Sequence, residues 1–369
     1  MNNTSYSFTK AAWKRLRKNR AAVAGLFIIA ISIILSLVCY IIAPDTTQNA
    51  DREIVEIQSR KPGFAIQFLK IPKENYVDNT SFFERIISGK RDAFTYIPIT
   101  EYSIEGNKII IQQFIDDGVT EQKEFSINSL LKNSSTSVND LVIKKTYWLG
   151  TDKFGRDILS RLLIGIRVSL SVGLIAVVIS LTIGVLLGSL AGYFRGWVDE
   201  LIMWFINVIW SIPTLLLVFA ITLALGKGFW QVFIAVGLTL WVSVARLIRG
   251  QVLSLRELEY IEAARALGYS NSRTIFRHVL PNVIGPVIVI AASNFASAIV
   301  IEAGLSFLGV GVQAPQPSWG LMIKENYNFI ITHNPFLAIA PGIAIMILVL
   351  AFNLLGNGLR DALDVKGKL

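Results

Sequence analysis

Residues 257–281 read ELEYIEAARALGYSNSRTIFRHVLP, a polar and basic segment set between two apolar runs that are each long enough to cross a bilayer. The pattern predicts two helices about a turn. Good helix formers fill 257–267, with Leu258, Ile261, Ala264 and Leu267 at the spacing of one apolar face, and Gly268 can take the left-handed conformation that ends a helix. Ser270 or Asn271 can cap a second short helix whose Ile275, Phe276 and Val279 turn inward. Pro281 lacks a backbone donor and marks the entry to the next apolar run. Such a segment is either a rigid coupling element on one face of a membrane protein or an ordinary loop between spans.

The flanking sequence decides the solvent. Of 369 residues, 53% are apolar and 17% charged, and the mean hydropathy is +0.54. Six spans are expected, at 21–43, 165–192, 201–225, 229–249, 284–309 and 336–356, because a hydrocarbon core of about 30 Å takes roughly 20 helical residues. Lys10, Lys14, Arg15, Arg17, Lys18 and Arg20 precede the first span with no acidic residue among them, which places residues 1–20 in the cytoplasm. Alternation brings the loop 250–283, with Arg256, Arg265, Arg273 and Arg277, and the tail 357–369, with Arg360, Lys366 and Lys368, to that same side. The net charge of +9 also suits nucleic acid, but the cations cluster at the ends of apolar runs and no nucleic-acid-binding motif accompanies them. The first span exceeds a secretion-signal core and lacks a small-x-small cleavage site near Pro44, so it reads as a retained anchor.

Between the first two spans, 44–148 changes character: it carries 15 acidic and 13 basic residues, so the positive excess belongs to the membrane part. Aromatic and β-branched residues at 94–103, 108–114 and 119–127, separated by Glu105-Gly106-Asn107 and Asp116-Asp117-Gly118, predict an antiparallel meander, with a helix in 81–88 and a flexible return at 134–137. The fold class is therefore an all-α polytopic membrane protein of six transmembrane helices, with a cytoplasmic coupling helix and an inserted, mainly-β extracellular domain. An entry segment, 149–164, leads into a five-helix core, 165–356.

The catalytic inventory is short. There is no phosphate loop, nucleophile elbow or H-E-x-x-H motif; Cys39 is the single cysteine, and His278 and His333 fall on opposite sides of the membrane, so no metal site is expected. Asn294 and Glu302 lie in the fifth span about two turns apart and share a face, which points inward because lipid exposure of a carboxylate is costly. They line a translocation path or gate, or close an interhelical contact. In the entry segment, Asp152, Gly155, Arg156 and Asp157 serve either an arriving substrate or, more simply, capping and ion pairing. Pro213 is placed to kink the third span.

Three segments carry a family resemblance. Glu262-Ala263-Ala264 followed by Gly268, and then by Leu280-Pro281, fits the coupling signature of importer permeases, with His278 at the usual Ile position. The run 149–157, LGTDKFGRD, with Ser160-Arg161 and Arg167, resembles the entry to the conserved core. The run 305–313, LSFLGVGVQ, with Pro317-Ser318-Trp319-Gly320, resembles an outer loop after the fifth helix. Together, over 149–361 and the N-terminal anchor but not 50–141, the chain resembles permease subunits of bacterial ATP-binding-cassette importers of the peptide and nickel branch, and within it the second permease of oligopeptide or dipeptide systems. The resemblance implies a multi-pass protein of the bacterial cell membrane with both termini cytoplasmic. Its partners would be membrane lipid, a homologous permease, two cytoplasmic ATP-binding subunits that use ATP and Mg, an extracellular peptide-binding protein and a peptide substrate. This chain itself would bind no cofactor and catalyse nothing. Tyr260, Glu262, Ala263, Ala264, Gly268, His278, Leu280 and Pro281 would couple it to the ATPases. A nickel or metal-chelate permease shares these motifs; an ion-gradient-driven transporter using Glu302, and a sensor using 44–148, are the readings from other classes.

Overall fold

The computed structural model describes residues 8–73, 81–131, 141–331 and 334–363. The return at 134–137, His333, Lys366 and Lys368 lie outside the described residues. In chain order, α1 (Phe8–Leu16) and α2 (Arg20–Ile42) precede a sheet built from β1 (Phe64–Pro72), β2 (Phe94–Glu105), β3 (Lys108–Asp116), β4 (Val119–Ser126) and β5 (Val142–Tyr147), with α3 (Phe82–Ser88) and α4 (Ile127–Leu130) between strands. The remainder is helical: α5 (Ile158–Phe194), α6 (Gly196–Trp210), α7 (Thr214–Leu225), α8 (Phe229–Arg256), α9 (Glu259–Ala266), α10 (Asn271–Thr274), α11 (Leu280–Leu308), α12 (Trp319–Asn326) and α13 (Phe336–Leu363).

Among the described residues, five helices are long and apolar enough to cross a membrane, and a sixth span arises if α6 and α7 count as one. Their axes meet at 93°, so the feature expected as a kink at Pro213 is a break. Ser211 N still donates to Asn207 O and closes α6, whereas Pro213, with no N–H to offer, sits at the N-cap of α7. Neither half alone is long enough to span.

The described chain divides into two compact units. The first comprises Met1–Ile33, Val168–Gln313 and Ile343–Leu369. Its core includes Val168, Val172, Val218, Phe233, Ala298 and Leu305. Gly184, Gly188 and Gly192, one turn apart on α5, let α8 approach until a Cβ on any of them would lie within 2.8 Å of α8 backbone or side-chain atoms. That is the small-residue packing by which apolar helices associate without help from water. Near the other end of α5, Gly173 admits the ring of Phe295.

The second unit comprises Ile34–Arg167 and Ala314–Gly342 and holds the sheet, in the order β4-β3-β2-β1-β5. The three expected strands form the meander β2-β3-β4, and the expected helix at 81–88 is α3. The sequence reading missed β1 and β5. They pair antiparallel, Phe64 opposite Tyr147, so the inserted chain departs and returns at neighbouring points. Both faces of the sheet are covered: Leu69, Ile99, Ile109 and Ile111 pack with Ile127 and Leu130 on one, and Ile66, Phe68, Phe114 and Tyr147 pack with Ile54 and Ile57 on the other.

Candidate functional site

The segment after α8 is a rigid bracket. Helix α9 ends with two reciprocal bonds, Gly268 N to Arg265 O at 2.9 Å and Tyr269 N to Ala264 O at 3.1 Å, a Schellman closure that needs Gly268 at φ 76°. A Cβ there would meet nothing within 4 Å, so the backbone conformation, not crowding, selects glycine. Ser270 then caps α10, its hydroxyl accepting from Arg273 N at 3.3 Å.

Beyond α10 the structure departs from a second short helix stopped by Pro281. Five residues of π-helix, Ile275–Val279, lead into α11, and the whole of Asn271–Leu308 runs as one 38-residue helix through Pro281. Pro281 removes one N–H from the helical ladder, and the widened turn lies where that ladder is interrupted.

Ile261, Ala264, Ile275 and Val279 are buried; Ile261, Ile275 and Val279 pack with Tyr193, Val244, Ile248 and Val252. The expected inward face is narrower than its spacing suggested. Leu258 and Tyr260 are exposed, as are Leu267 at 74% and Phe276 at 65%, because α5 and α8 cover only the side of the bracket that carries Ile261, Ile275 and Val279. Glu262 and Ala263 are exposed beside them, and Glu262 makes no ion pair among the described residues. Arg265 turns instead to Tyr193, its Nε 3.4 Å from the hydroxyl and its guanidinium 4.8 Å from the ring centre. Tyr193 also donates to Asn271 Oδ1 at 3.1 Å, and its carbonyl accepts from Arg256 Nη1 at 2.6 Å. Sequence reading missed this clamp, since a tyrosine ending an apolar run carries no signal of such a role. His278 faces Tyr269, with ring centres 5.9 Å apart; Asn282 Nδ2 donates to His278 O at 2.7 Å and to Tyr260 Oη at 3.3 Å. Leu280 is half-buried and Pro281 exposed.

Asn294 and Glu302 lie on α11, each buried inside the first unit. Asn294 Nδ2 reaches Ser180 Oγ on α5 at 3.4 Å. Glu302 Oε1 accepts from Ser306 Oγ at 2.7 Å, and Ser306 Oγ accepts from Val312 N at 3.0 Å. The carboxylate thus helps to pin the turn after α11, where Gly309 is left-handed at φ 82°.

The entry segment has a different chemistry. Arg156 is 2% exposed, and its guanidinium lies 2.7 Å from Asp152 Oδ2 and 2.6 Å from Glu325 Oε2 on α12; Arg161, fully buried, adds contacts of 3.4 Å to Glu325 and 3.8 Å to Asp152. Gly155 is required twice over, by its left-handed φ of 75° and because a Cβ there would overlap the Ile54 carbonyl oxygen. Asp157 caps α5 through Ser160 N at 3.0 Å and the Ser160 hydroxyl. Burial pushes the Asp157 carboxyl above its ordinary value, against the Ser160 hydrogen bonds, which lower it.

Comparison with known proteins supplies a lineage for this arrangement. The family model described as "Binding-protein-dependent transport system inner membrane component" matches residues 184–366, and "N-terminal TM domain of oligopeptide transport permease C" matches residues 7–62. The dipeptide transport system permease protein DppC of Alkalihalophilus pseudofirmus is 41% identical over 282 residues, covering 76% of this chain and 91% of that protein. The glutathione transport system permease protein GsiD of Pectobacterium atrosepticum is 44% identical over 222 residues, covering 60% of this chain and 73% of that protein. The oligopeptide transport system permease protein OppC of Bacillus subtilis is 41% identical over 222 residues, covering 60% and 72%.

Proposed function

The chain belongs to the family of binding-protein-dependent transport system inner membrane components, and from that membership we propose that it is one permease subunit of an ATP-driven importer of short peptides. The likeness to a dipeptide permease over nearly that protein's whole length carries the reading. A homologous permease supplies the other half of the path, an extracellular binding protein delivers peptide, and two cytoplasmic subunits hydrolyse ATP with Mg.

This chain contributes motion, not chemistry. The outward side chains Leu258, Tyr260, Leu267 and Phe276, with Glu262 among them, form the surface an ATPase subunit grips, while Ile261, Ile275, Val279 and the Tyr193 clamp fasten that surface to α5 and α8. A push on the bracket enters α11 through the widened turn at Ile275–Val279, since Asn271–Leu308 is one continuous helix. Asn294 and Glu302 ride on that lever and act as gate elements: tilting α11 loads the Ser180 contact and the Ser306 turn together. ATP drives the cycle only so far as the ATPases bind one arrangement of this lever better than the other, and the binding protein obeys the same rule on the opposite face. The orientation follows from the basic N-terminal segment and places 44–148 outside, where the sheet serves docking of the binding protein or of the partner permease.

The deciding experiment reconstitutes the full complex in vesicles and measures peptide uptake with and without ATP. Uptake that needs ATP and the binding protein supports the reading; uptake by this chain alone, driven by a proton gradient, overturns it.

A further inference from the structure

At the end of the helical unit that carries the N-terminal cationic segment, α1, the start of α11 and the end of α13 enclose an apolar groove of about 630 Å³, with Trp13, Leu16, Ile284, Gly285, Leu359 and Leu363 among its walls. Its roof is fixed. Leu16 packs with Ala22, Leu359 and Ala362, Asn19 Oδ1 caps α2 by accepting from Ala22 N at 3.1 Å, and Gly358 brings α13 so close that a Cβ on it would overlap Ala22.

The chain segments that supply its walls carry exposed cations. Lys10, Lys14, Arg15, Arg17, Lys18 and Arg20 are all exposed, Lys10 and Arg17 lying one turn on either side of Trp13. Arg277 stands four residues before the wall residue Pro281, and exposed Arg360 adjoins Leu359. The acidic side chain of these segments among the described residues is Asp361, which accepts from Asn19 Nδ2 at 3.5 Å. An apolar slot whose wall segments carry exposed cations, with a tryptophan among its walls, matches a molecule that has an acyl chain and an anionic head.

We propose that this groove is a binding site for an anionic phospholipid of the cytoplasmic leaflet, with an acyl chain against Trp13, Ile284 and Gly285 and the phosphate among Lys10, Lys14 and Arg17. The proposal uses the orientation adopted for the permease, but not its substrate. It also ties lipid to coupling: Asn282, another wall residue, holds the Tyr260 hydroxyl at 3.3 Å, so occupancy braces the outward face of α9.

The test uses the purified full chain in mild detergent and native mass spectrometry, with phosphatidylglycerol and phosphatidylcholine as probes. Phosphatidylglycerol should be retained at one saturable site and phosphatidylcholine displaced. K10Q/K14Q/R17Q should weaken retention at least tenfold, since each surface charge is worth about fivefold in binding. Gly285→Leu keeps every charge and fills the slot; a Cβ at Gly285 would meet Leu363 at an ordinary 3.7 Å, so the helix packing survives, and the saturable site should vanish. Equal retention of both lipids, or unchanged retention in Gly285→Leu, overturns the proposal. So does loss of the bound lipid whenever the partner permease is added, which would assign the groove to a partner helix. Peptide uptake is read separately, with the full complex and ATP in vesicles of the two lipids: a chain that holds phosphatidylglycerol but whose complex imports no peptide refutes the transport reading and leaves the lipid site standing.

Discussion

The entry segment and the coupling segment are both short, charged stretches beside apolar helices, and they handle charge in opposite ways. At 149–161 the side chains of Asp152, Arg156, Asp157 and Arg161 are buried; Arg156 is answered by Asp152 and, 169 positions away, by Glu325, while Asp157 Oδ1 and Arg161 Nε and Nη1 find no hydrogen-bond partner among the described residues. At 257–281 Glu262 points outward without an ion pair among the described residues, and Leu267 and Phe276 stand in the open. A polar cluster buried inside its own fold has little to offer a partner, whereas exposed apolar groups beside an unpaired carboxylate offer a surface that another protein can complete. The first arrangement is built into the fold, and the second is the one proposed to transmit force.

The largest effect on stability should therefore come from the entry segment. Arg156→Ala leaves Asp152 and Glu325 only the longer contacts to Arg161 and should cost about 3 kcal/mol, the low end of the usual toll for breaking a buried ion pair by removing one partner. Chemical unfolding of the purified chain measures it. A loss below that of any coupling-segment variant would undo the contrast between the two regions.

Gly268→Val should come next. The added side chain has open space, so the cost is conformational, about 1–2 kcal/mol for holding a residue with a Cβ in the left-handed region, and more for a β-branched one. The body should still assemble with its partner permease, but a displaced α10 should abolish peptide-stimulated ATP hydrolysis and uptake together. Normal association, hydrolysis and uptake in this variant would return the segment to a solvated turn.

Gly268 and Ser270 were legible in the sequence because a helix stop and a helix cap are local matters, decided by residues within a few positions. The meander β2-β3-β4 was legible for the same reason, since Gly106 and Gly118 mark its two turns. What was not legible depends on distant chain. β1 reads FAIQFLKIP without clean alternation, and β5 carries Lys144 and Lys145; each is a strand because it pairs with the other. The burial of Arg156 requires Glu325, and the outward turn of Leu267 and Phe276 requires knowing which residues α5 and α8 leave uncovered. Pro213 announced a bend, but its 93° depends on packing that no single proline encodes. The spacing of Gly184, Gly188 and Gly192 was a readable signal of close helix packing that went unused.

A smaller stability effect is expected at the second cap. Ser270→Ala removes the acceptor for Arg273 N and should cost about 1 kcal/mol, with a partial loss of uptake because α10 frays without leaving its place. Thermal unfolding and initial uptake rates, measured on the same preparation, should fall together.

The smallest stability effect should accompany one of the largest losses of transport. Glu262 is exposed and makes no ion pair among the described residues, so Glu262→Ala should shift unfolding by no more than about 0.5 kcal/mol, the range of ordinary surface substitutions. Its carboxylate is nevertheless an exposed charge in the same stretch as the exposed Leu258, Tyr260, Leu267 and Phe276, where an approaching ATPase surface would have to answer it. A cation that answered it on that surface would be left without its counter-charge, and desolvating an unanswered charge at an interface costs more than the contact itself returned. The variant should fold, pair with its partner permease and accept the binding protein, while ATPase association weakens and ATP-dependent uptake collapses. Charge reversal, Glu262→Lys, should be more severe than Ala, and Glu262→Asp should recover part of the activity, a graded series that a purely solubilising residue would not produce. If all three variants import peptide at the rate of the unaltered chain, the outward face of α9 is not the coupling surface, and the contrast between the two segments holds only for stability.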